Sequence, residues 1–343
     1  MDDIQGRKAD HLVIASTKPI TMSRSAGFDA VELIHHALPE VDLDRISLAT
    51  TFLGHRLSAP ILVSSMTGGT DRGREINRHL GEAIHELGLA MAVGSQRVML
   101  ENPSTLPTFR VVREVAPNAL VLGNLGAVQL NYGMGAQEIL HAADAIDANG
   151  MFLHLNPLQE AVQPEGNTNF FGLLAKIEDL ANRLPMPLLV KEVGSGISPD
   201  IAMALAARRI QAIDVSGAGG TSWAHIEGLR TTDPGRQRMA RLFSNWGIPT
   251  VTSLRECRRR LPQFPLIASG GIRSGLDMAK AVALGADLVG VAHLLLDPAM
   301  QSTEAVISAL QQWIWELRVS MFLVGAANLN ELKGRYQISD VIQ

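Results

Sequence analysis

Cysteine is nearly missing: Cys257 is the single thiol in 343 residues, which excludes an intrachain disulfide. Its place in the polar, helical-looking run Arg255–Arg260 makes it a buried or idle thiol and fits a reducing cytosol. Charge of one sign is missing too. Against 30 Lys plus Arg stand 34 Asp plus Glu, a net −4 with no long run of either sign, so neither a nucleic acid nor a membrane surface is an expected partner. No stretch approaches the ~18 apolar residues of a membrane span, and Met1–Asp10 is polar and charged rather than signal-like. A cytoplasmic location is expected. There is no repeat, no low-complexity tract, and no Gly-x-Gly-x-x-Gly unit with a following acid, so a dedicated NAD domain is not evident.

What the chain does have is 46% hydrophobic residues, enough to bury a large core as one unit. From Pro60 onward apolar runs end in small or polar residues at Ile61–Met66, Leu89–Ser95, Leu120–Gly126, Met151–Asn156, Leu188–Gly194, Ala212–Gly217, Leu266–Gly271 and Leu288–Ala292. Helical patterns lie between them, such as Asp71–Leu87 and, after the cap Ser198, Pro199–Arg208. Eight strands alternating with helices predict a (β/α)8 TIM barrel over residues 60–343. Pro249–Leu254 competes as a ninth strand but suits the start of a helix running through Cys257. The polar insert Thr221–Ser244 is expected over the barrel mouth, and Thr303–Val324 as a helix on the barrel's outside, with Trp313 and Trp315 facing core or a neighbouring subunit. Residues 1–59 read as an N-terminal extension, with a hairpin over Leu48–Ala59 that turns at Gly54.

The chemistry gathers at the strand ends. Pro265–Ala292 reads as strand, Gly270-Gly271 turn, a Ser274/Asp277 capping box, helix and strand. Such a turn can serve backbone geometry alone; with the helix N-terminus and Arg273 it can also cradle a phosphate. A second such turn follows Ser216, and the pair suits a mononucleotide such as FMN. Lys191 lies in an apolar strand, where it either pairs with a neighbour such as Glu192 or faces a ligand with delocalised negative charge. Arg7, Lys8, Asp10 and His11 stand together as a solvated polar terminus or as a cluster of interest beside a phosphate site, where Arg7, Lys8, Ser95 and Arg97 could bind a second anion. Glu160, beside Gln159, is a surface carboxylate or a ligand for Mg²⁺ against that anion. His11 and His154 remain candidates, although a lone histidine more often hydrogen-bonds than catalyses.

With these residues in place, the chain resembles type 2, FMN-dependent isopentenyl-diphosphate isomerases over essentially its whole length. The resemblance rests on RKADH (Arg7–His11), SSMTGG (Ser64–Gly69), VGSQR (Val93–Arg97), GNLGA (Gly123–Ala127), HLNPLQE with QPEG (His154–Gly166), KEVGSGIS (Lys191–Ser198), SGAGGTSW (Ser216–Trp223) and ASGGIRSG (Ala268–Gly275). It implies FMN contacts at Ser65, Met66, Thr67, Ser95, Asn124, Lys191, Ser216, Thr221, Gly271, Ile272, Arg273, Ala292 and His293. It implies diphosphate contacts at Arg7, Lys8, Ser95, Gln96 and Arg97, substrate contact at Gln159, and Mg²⁺ at Glu160, with His154, Gln159 and Lys191 as the catalytic candidates. Asn167 stands where the family usually carries aspartate.

The family's reaction interconverts isopentenyl and dimethylallyl diphosphate, with reduced FMN exchanging the proton and NADPH reducing the flavin. A homotetramer or homooctamer is the assembly the resemblance implies. Among rivals, an FMN-dependent 2-hydroxy-acid oxidase would carry a histidine where Ala218 stands, and an inosine or guanosine nucleotide enzyme would need a loop cysteine. A non-catalytic flavin-binding barrel would have no use for Arg7, Lys8, Arg97 and Glu160 beside the flavin cradle.

Overall fold

Successive residues of a strand point to opposite faces, and in this chain the two faces have different tasks. The computed structural model describes residues 4–339. Its eight parallel strands are Ile61–Val63, Ala90–Ala92, Leu120–Gly126, Gly150–Leu155, Leu188–Glu192, Ala212–Asp214, Leu266–Ala268 and Leu288–Val291. Each pairs with the next, and the eighth pairs with the first, so they close the expected (β/α)8 barrel. One parity, including Ile61, Val63, Met91, Val121, Leu153 and Val190, packs outward under the helices. The other, including Leu62, Ala90, Ala92, Leu122, Phe152, Leu189 and Ile267, fills the barrel.

The lower end of that interior is closed by a two-stranded hairpin, Thr50–Phe52 with His55–Leu57, which turns at Leu53 and Gly54. Both turn residues have positive φ, 48° and 79°, the geometry that matches strand twist in a two-residue turn. Phe52 and Leu57 join the barrel's inner cluster as a plug. The hairpin expected around Gly54 is therefore present.

The helices follow their caps. Asp71–Leu87 starts at Thr70, whose hydroxyl accepts from Gly73 N, and stops at Gly88 with φ 64°. Thr250–Arg260 is helical after Pro249, so the strand count stays at eight. Ser274 Oγ accepts from Asp277 N at 3.2 Å, while Asp277 Oδ2 accepts from Arg273 N at 3.0 Å, one residue earlier than a strict capping box. Thr303–Leu323 packs on the helices Asp71–Leu87 and Gly275–Ala283, with Trp313 against the core and Trp315 49% exposed.

Three differences from the sequence reading have physical causes. The expected strands overrun at their carboxyl ends, as Ile61–Met66 against Ile61–Val63, because the chain leaves the ladder where it splays into the mouth. The terminal cluster around Arg7, for which a solvated terminus is one reading of the sequence, lies on a helix, Ile4–Thr17, whose Ile4 and Leu12 are buried. Val31–Leu33 pairs antiparallel with Tyr336–Ile338, a contact between distant segments that no local pattern announces. Among the described residues no helix is long and apolar enough to cross a membrane. Phe52→Ala should destabilise the fold by about 3–5 kcal/mol, as removal of a buried ring does, read as a lower denaturation midpoint; an unchanged midpoint would show that the hairpin is not a plug.

Candidate functional site

Two residues beyond the apolar layer, at the same inward parity, the eight strands present Ser64, Gly94, Asn124, His154, Lys191, Asp214, Ser269 and Gly290. The pleat that stacks hydrocarbon below thus sets polar groups and glycines above. They form the floor of a cavity of about 290 Å³ at the carboxyl end of the barrel, with Asp214 sealed just beneath it. Every candidate site residue named from the sequence lines this cavity except Gln96.

Gln96 is a correction. It is fully buried behind the wall, where Nε2 donates to Ala142 O at 2.7 Å and Oε1 accepts from Asn124 N at 3.0 Å. Its amide braces the end of the third strand and is spent there, so it is not a diphosphate contact.

One side of the mouth is built to receive an anion. Gly270 and Gly271 have φ 96° and 72°, and a Cβ on Gly270 would lie 2.1 Å from Gly217 O. A Cβ on Gly220 would lie 2.6 Å from Gly271 N, so the sixth and seventh loops pack backbone to backbone. Among the described residues the amides of Gly271 and Ile272 meet no acceptor, and the Arg273 guanidinium meets no carboxylate. Ala292 and His293 complete this side, His293 Nε2 lying 3.0 Å from Ala15 O. Nearby, the buried hydroxyls of Ser64 and Ser65 have no partner. Unmet donors around a glycine cradle at the sixth to eighth loops fit a flavin mononucleotide.

The opposite side, at the second to fourth loops, is closed by the terminal helix and by the helix Trp223–Arg230, which lies within the expected insert. Lys8 Nζ donates to Ser95 O at 2.8 Å and lies 5.6 Å from the Phe109 ring centre. Burial of the ammonium group, and then the Arg7 charge, pull its pKa down to about 7. Arg7 meets Glu165 at 3.4 Å, Arg230 reaches both Glu165 and Glu227, and Glu227 Oε1 lies 3.0 Å from His11 Nε2 and 2.9 Å from Gln159 Nε2. Burial pushes the Glu227 carboxyl up, but His11, Gln159 and Arg230 outweigh it and hold it at about 2. Sequence reading missed Glu227, because a lone acid in a polar insert looks like solvated surface. Its four-residue offset from Trp223 was the available signal.

His154 Nδ1 lies 3.0 Å from Asn124 Oδ1, and burial with the Lys191 and Lys8 charges lowers its pKa to about 3, so the ring is neutral. Lys191 Nζ donates to the Glu192 carbonyl at 2.5 Å, not to its carboxylate. That carboxylate takes the amides of Val193 and Gly194, each at 2.6 Å, and of Ser195, and burial raises its pKa to about 7. Arg97 spans Glu101 at 2.8 Å and Asn167 at 3.3 Å. Glu160 accepts from Asn156 Nδ2 at 2.9 Å and Asn167 N at 2.6 Å, and the buried Asn156 Oδ1 beside it is unpartnered. Among the described residues no three acids, histidines or cysteines converge on a metal position. This donor set fits Mg²⁺ only as a hard ion held mainly by phosphate and water. Cys257 is buried, its thiol on Ile197 O, and burial raises its pKa to about 11.

An anion bound beside Lys8 must raise that pKa above about 7, so binding takes up a proton once the pH passes it. Affinity for inorganic pyrophosphate should be full below pH 7 and fall up to about tenfold per unit above it, relative to Lys8→Arg, whose charge persists. Equal pH profiles for the two proteins in calorimetric titration would refute the assignment.

Residues 128–338 match the family model described as FMN-dependent dehydrogenase. The isopentenyl-diphosphate delta-isomerase of Nostoc sp. is 46% identical over 96% of this chain and 94% of its own length. That of Stutzerimonas stutzeri is 49% identical over 95% of each. Among solved structures, a flavocytochrome b2 mutant with pyruvate bound superposes with a TM-score of 0.70 at 16% identity, over 95% of this chain and 82% of that one. A mandelate oxidase with (S)-2-phenylpropionate superposes at 0.67 and 17% identity, over 97% of this chain and 91% of that one. At that identity the oxidases share the barrel and no more.

Proposed function

Since the chain belongs to the type 2, FMN-dependent isopentenyl-diphosphate delta-isomerase family, we propose that it interconverts isopentenyl and dimethylallyl diphosphate, in isoprenoid biosynthesis, within the mouth of this barrel. The observation that carries the reading is one cavity with two anion-binding poles, the glycine cradle at the sixth to eighth loops and the Arg7–Lys8–Arg97 cluster across from it. One pole suits the phosphate of FMN and the other a diphosphate.

When bound and reduced, FMN supplies a proton donor and acceptor strong enough to act on an unactivated alkene. NADPH is the reductant we assign, and Mg²⁺ the counter-ion of the diphosphate at Glu160. Ser65, Met66, Thr67, Ser95, Asn124, Ser216 and Thr221 line the flavin's place, and Gly271, Ile272, Arg273, Ala292 and His293 its phosphate end. Lys191 offers a cation to the ring.

Arg7, Lys8, Ser95 and Arg97 orient the diphosphate. Gln159 faces the five-carbon group, its amide held at both ends, Nε2 donating to Glu227 at 2.9 Å and Oε1 accepting from Asn156 Nδ2 at 3.1 Å. His154, neutral with Nδ1 donating to Asn124 Oδ1, leaves Nε2 to accept one hydrogen bond without adding charge beside a developing cation. Leu12, Trp223 and Ile226 keep water from that cation. In this division residues 1–59 act as the substrate arm and 60–343 as the flavin barrel, assembled as a homotetramer or homooctamer.

The 2-hydroxy-acid oxidase reading gains nothing: Ala218, where that chemistry would want a histidine, is fully buried and bridges to Pro249. Purified protein should bind FMN, turn yellow, and convert isopentenyl diphosphate but not lactate once the flavin is reduced under nitrogen. Lys8→Ala should keep FMN and raise KM at least about tenfold, the value of one charge-assisted contact; an unchanged KM would move the diphosphate elsewhere.

A further inference from the structure

Resting on the reading that FMN occupies this mouth, we propose that Asp214 is a positioning residue of the flavin site: its carboxylate competes with the bound ring for the Lys191 ammonium. It thereby sets how much more tightly the protein holds reduced than oxidised FMN.

Asp214 is fully buried at the inward position of the sixth strand, and it is the register partner of Lys191 on the fifth. Of the eight floor residues, Lys191 is the one cation and Asp214 the one acid. Oδ1 is satisfied by Ser269 Oγ at 2.7 Å and Ser216 N at 3.1 Å, but Oδ2 has no partner. A sealed carboxylate with an unmet oxygen is costly unless a cation serves it. The other elements packed against it offer no second charge: the seventh strand contributes Ser269, and Glu192, at the outward parity of the fifth, is spent on loop amides. Burial drives the Asp214 carboxyl up and the Lys191 ammonium down, and the strongest influence opposing burial on each is the other's charge. Lys191 Nζ is meanwhile held only by the Glu192 carbonyl, so it is free to turn to an anion in the cavity.

Oxidised flavin is neutral at the ring, and Lys191 then balances Asp214. Two electrons and one proton leave one negative charge on the ring, and the same ammonium faces two anions. Asp214→Asn keeps the shape and an oxygen for Ser269 and Ser216 but removes the rival charge. The oxidised form then loses its balance and the reduced form gains an undivided partner.

The test is equilibrium reduction of FMN-loaded wild type and Asp214→Asn at pH 7, with dithionite supplying the electrons and a redox dye reporting the potential. Oxidised FMN should bind the variant within about fivefold of wild type, while the preference for reduced over oxidised FMN rises at least tenfold. For a two-electron couple that is an upward shift of about 30 mV. An unchanged or lowered preference overturns the proposal. Should Asp214→Asn not fold, Ser269→Ala, which strips the hydroxyl that steadies the carboxylate, must shift the preference the same way by at least twofold, and no shift overturns it equally. Wild type that takes up no FMN refutes the flavin reading itself and this inference with it, whereas two yellow proteins of equal potential refute only the inference.

Discussion

The alternation of the β-pleat is the constraint from which the rest of this molecule follows. A strand cannot choose the direction of one side chain alone. Once Leu62, Ala92, Leu122, Phe152, Leu189, Ala212, Ile267 and Leu288 face the axis to make the core, the residues two places on must face it as well. At that level the axis is open, and the positions carry two hydroxyls, an amide, an imidazole, an ammonium, a carboxylate and two glycines. Core and floor are thus one decision, and the register that buries hydrocarbon also aligns His154 with Lys191 and Lys191 with Asp214.

Above the floor the site is assembled by charge rather than by hydrocarbon. Glu227 draws His11 from the terminal helix, Gln159 from the fourth loop and Arg230 from its own helix onto one carboxylate. Arg7 and Arg230 share Glu165 in the same way. These groups are largely withdrawn from water, where charge-assisted bonds are stronger than on a surface and losing one partner strands the others. The arm that carries Arg7 and Lys8 is therefore seated by the same network that orients Gln159, so these two parts of the cavity wall are mechanically one unit.

Much of this was legible because barrel chemistry sits at strand ends and strand ends advertise themselves as apolar runs closing in small or polar residues. The eight strands, the helix after Pro249, the hairpin at Gly54 and nearly all the cavity residues come from that rule together with the family resemblance. The failures share a cause. Gln96 follows a site serine and precedes a site arginine, and sequence adjacency does not say which way a side chain turns; its amide faces Ala142 instead. Glu227 and Asp214 are buried acids that depend on distant partners, His11 and Gln159 for the first and Ser269 for the second, and a single acid in sequence carries no mark of burial. The helix at Arg7 has too weak an apolar face to be seen without the barrel it lies on.

The short ladder between Val31–Leu33 and Tyr336–Ile338 carries one more implication. It joins two segments about three hundred residues apart in the chain, so it closes a very long loop with only three residue pairs. A contact of that separation is rewarded only after the chain between has compacted, so this ladder is a latch on a barrel already formed rather than a nucleus for it.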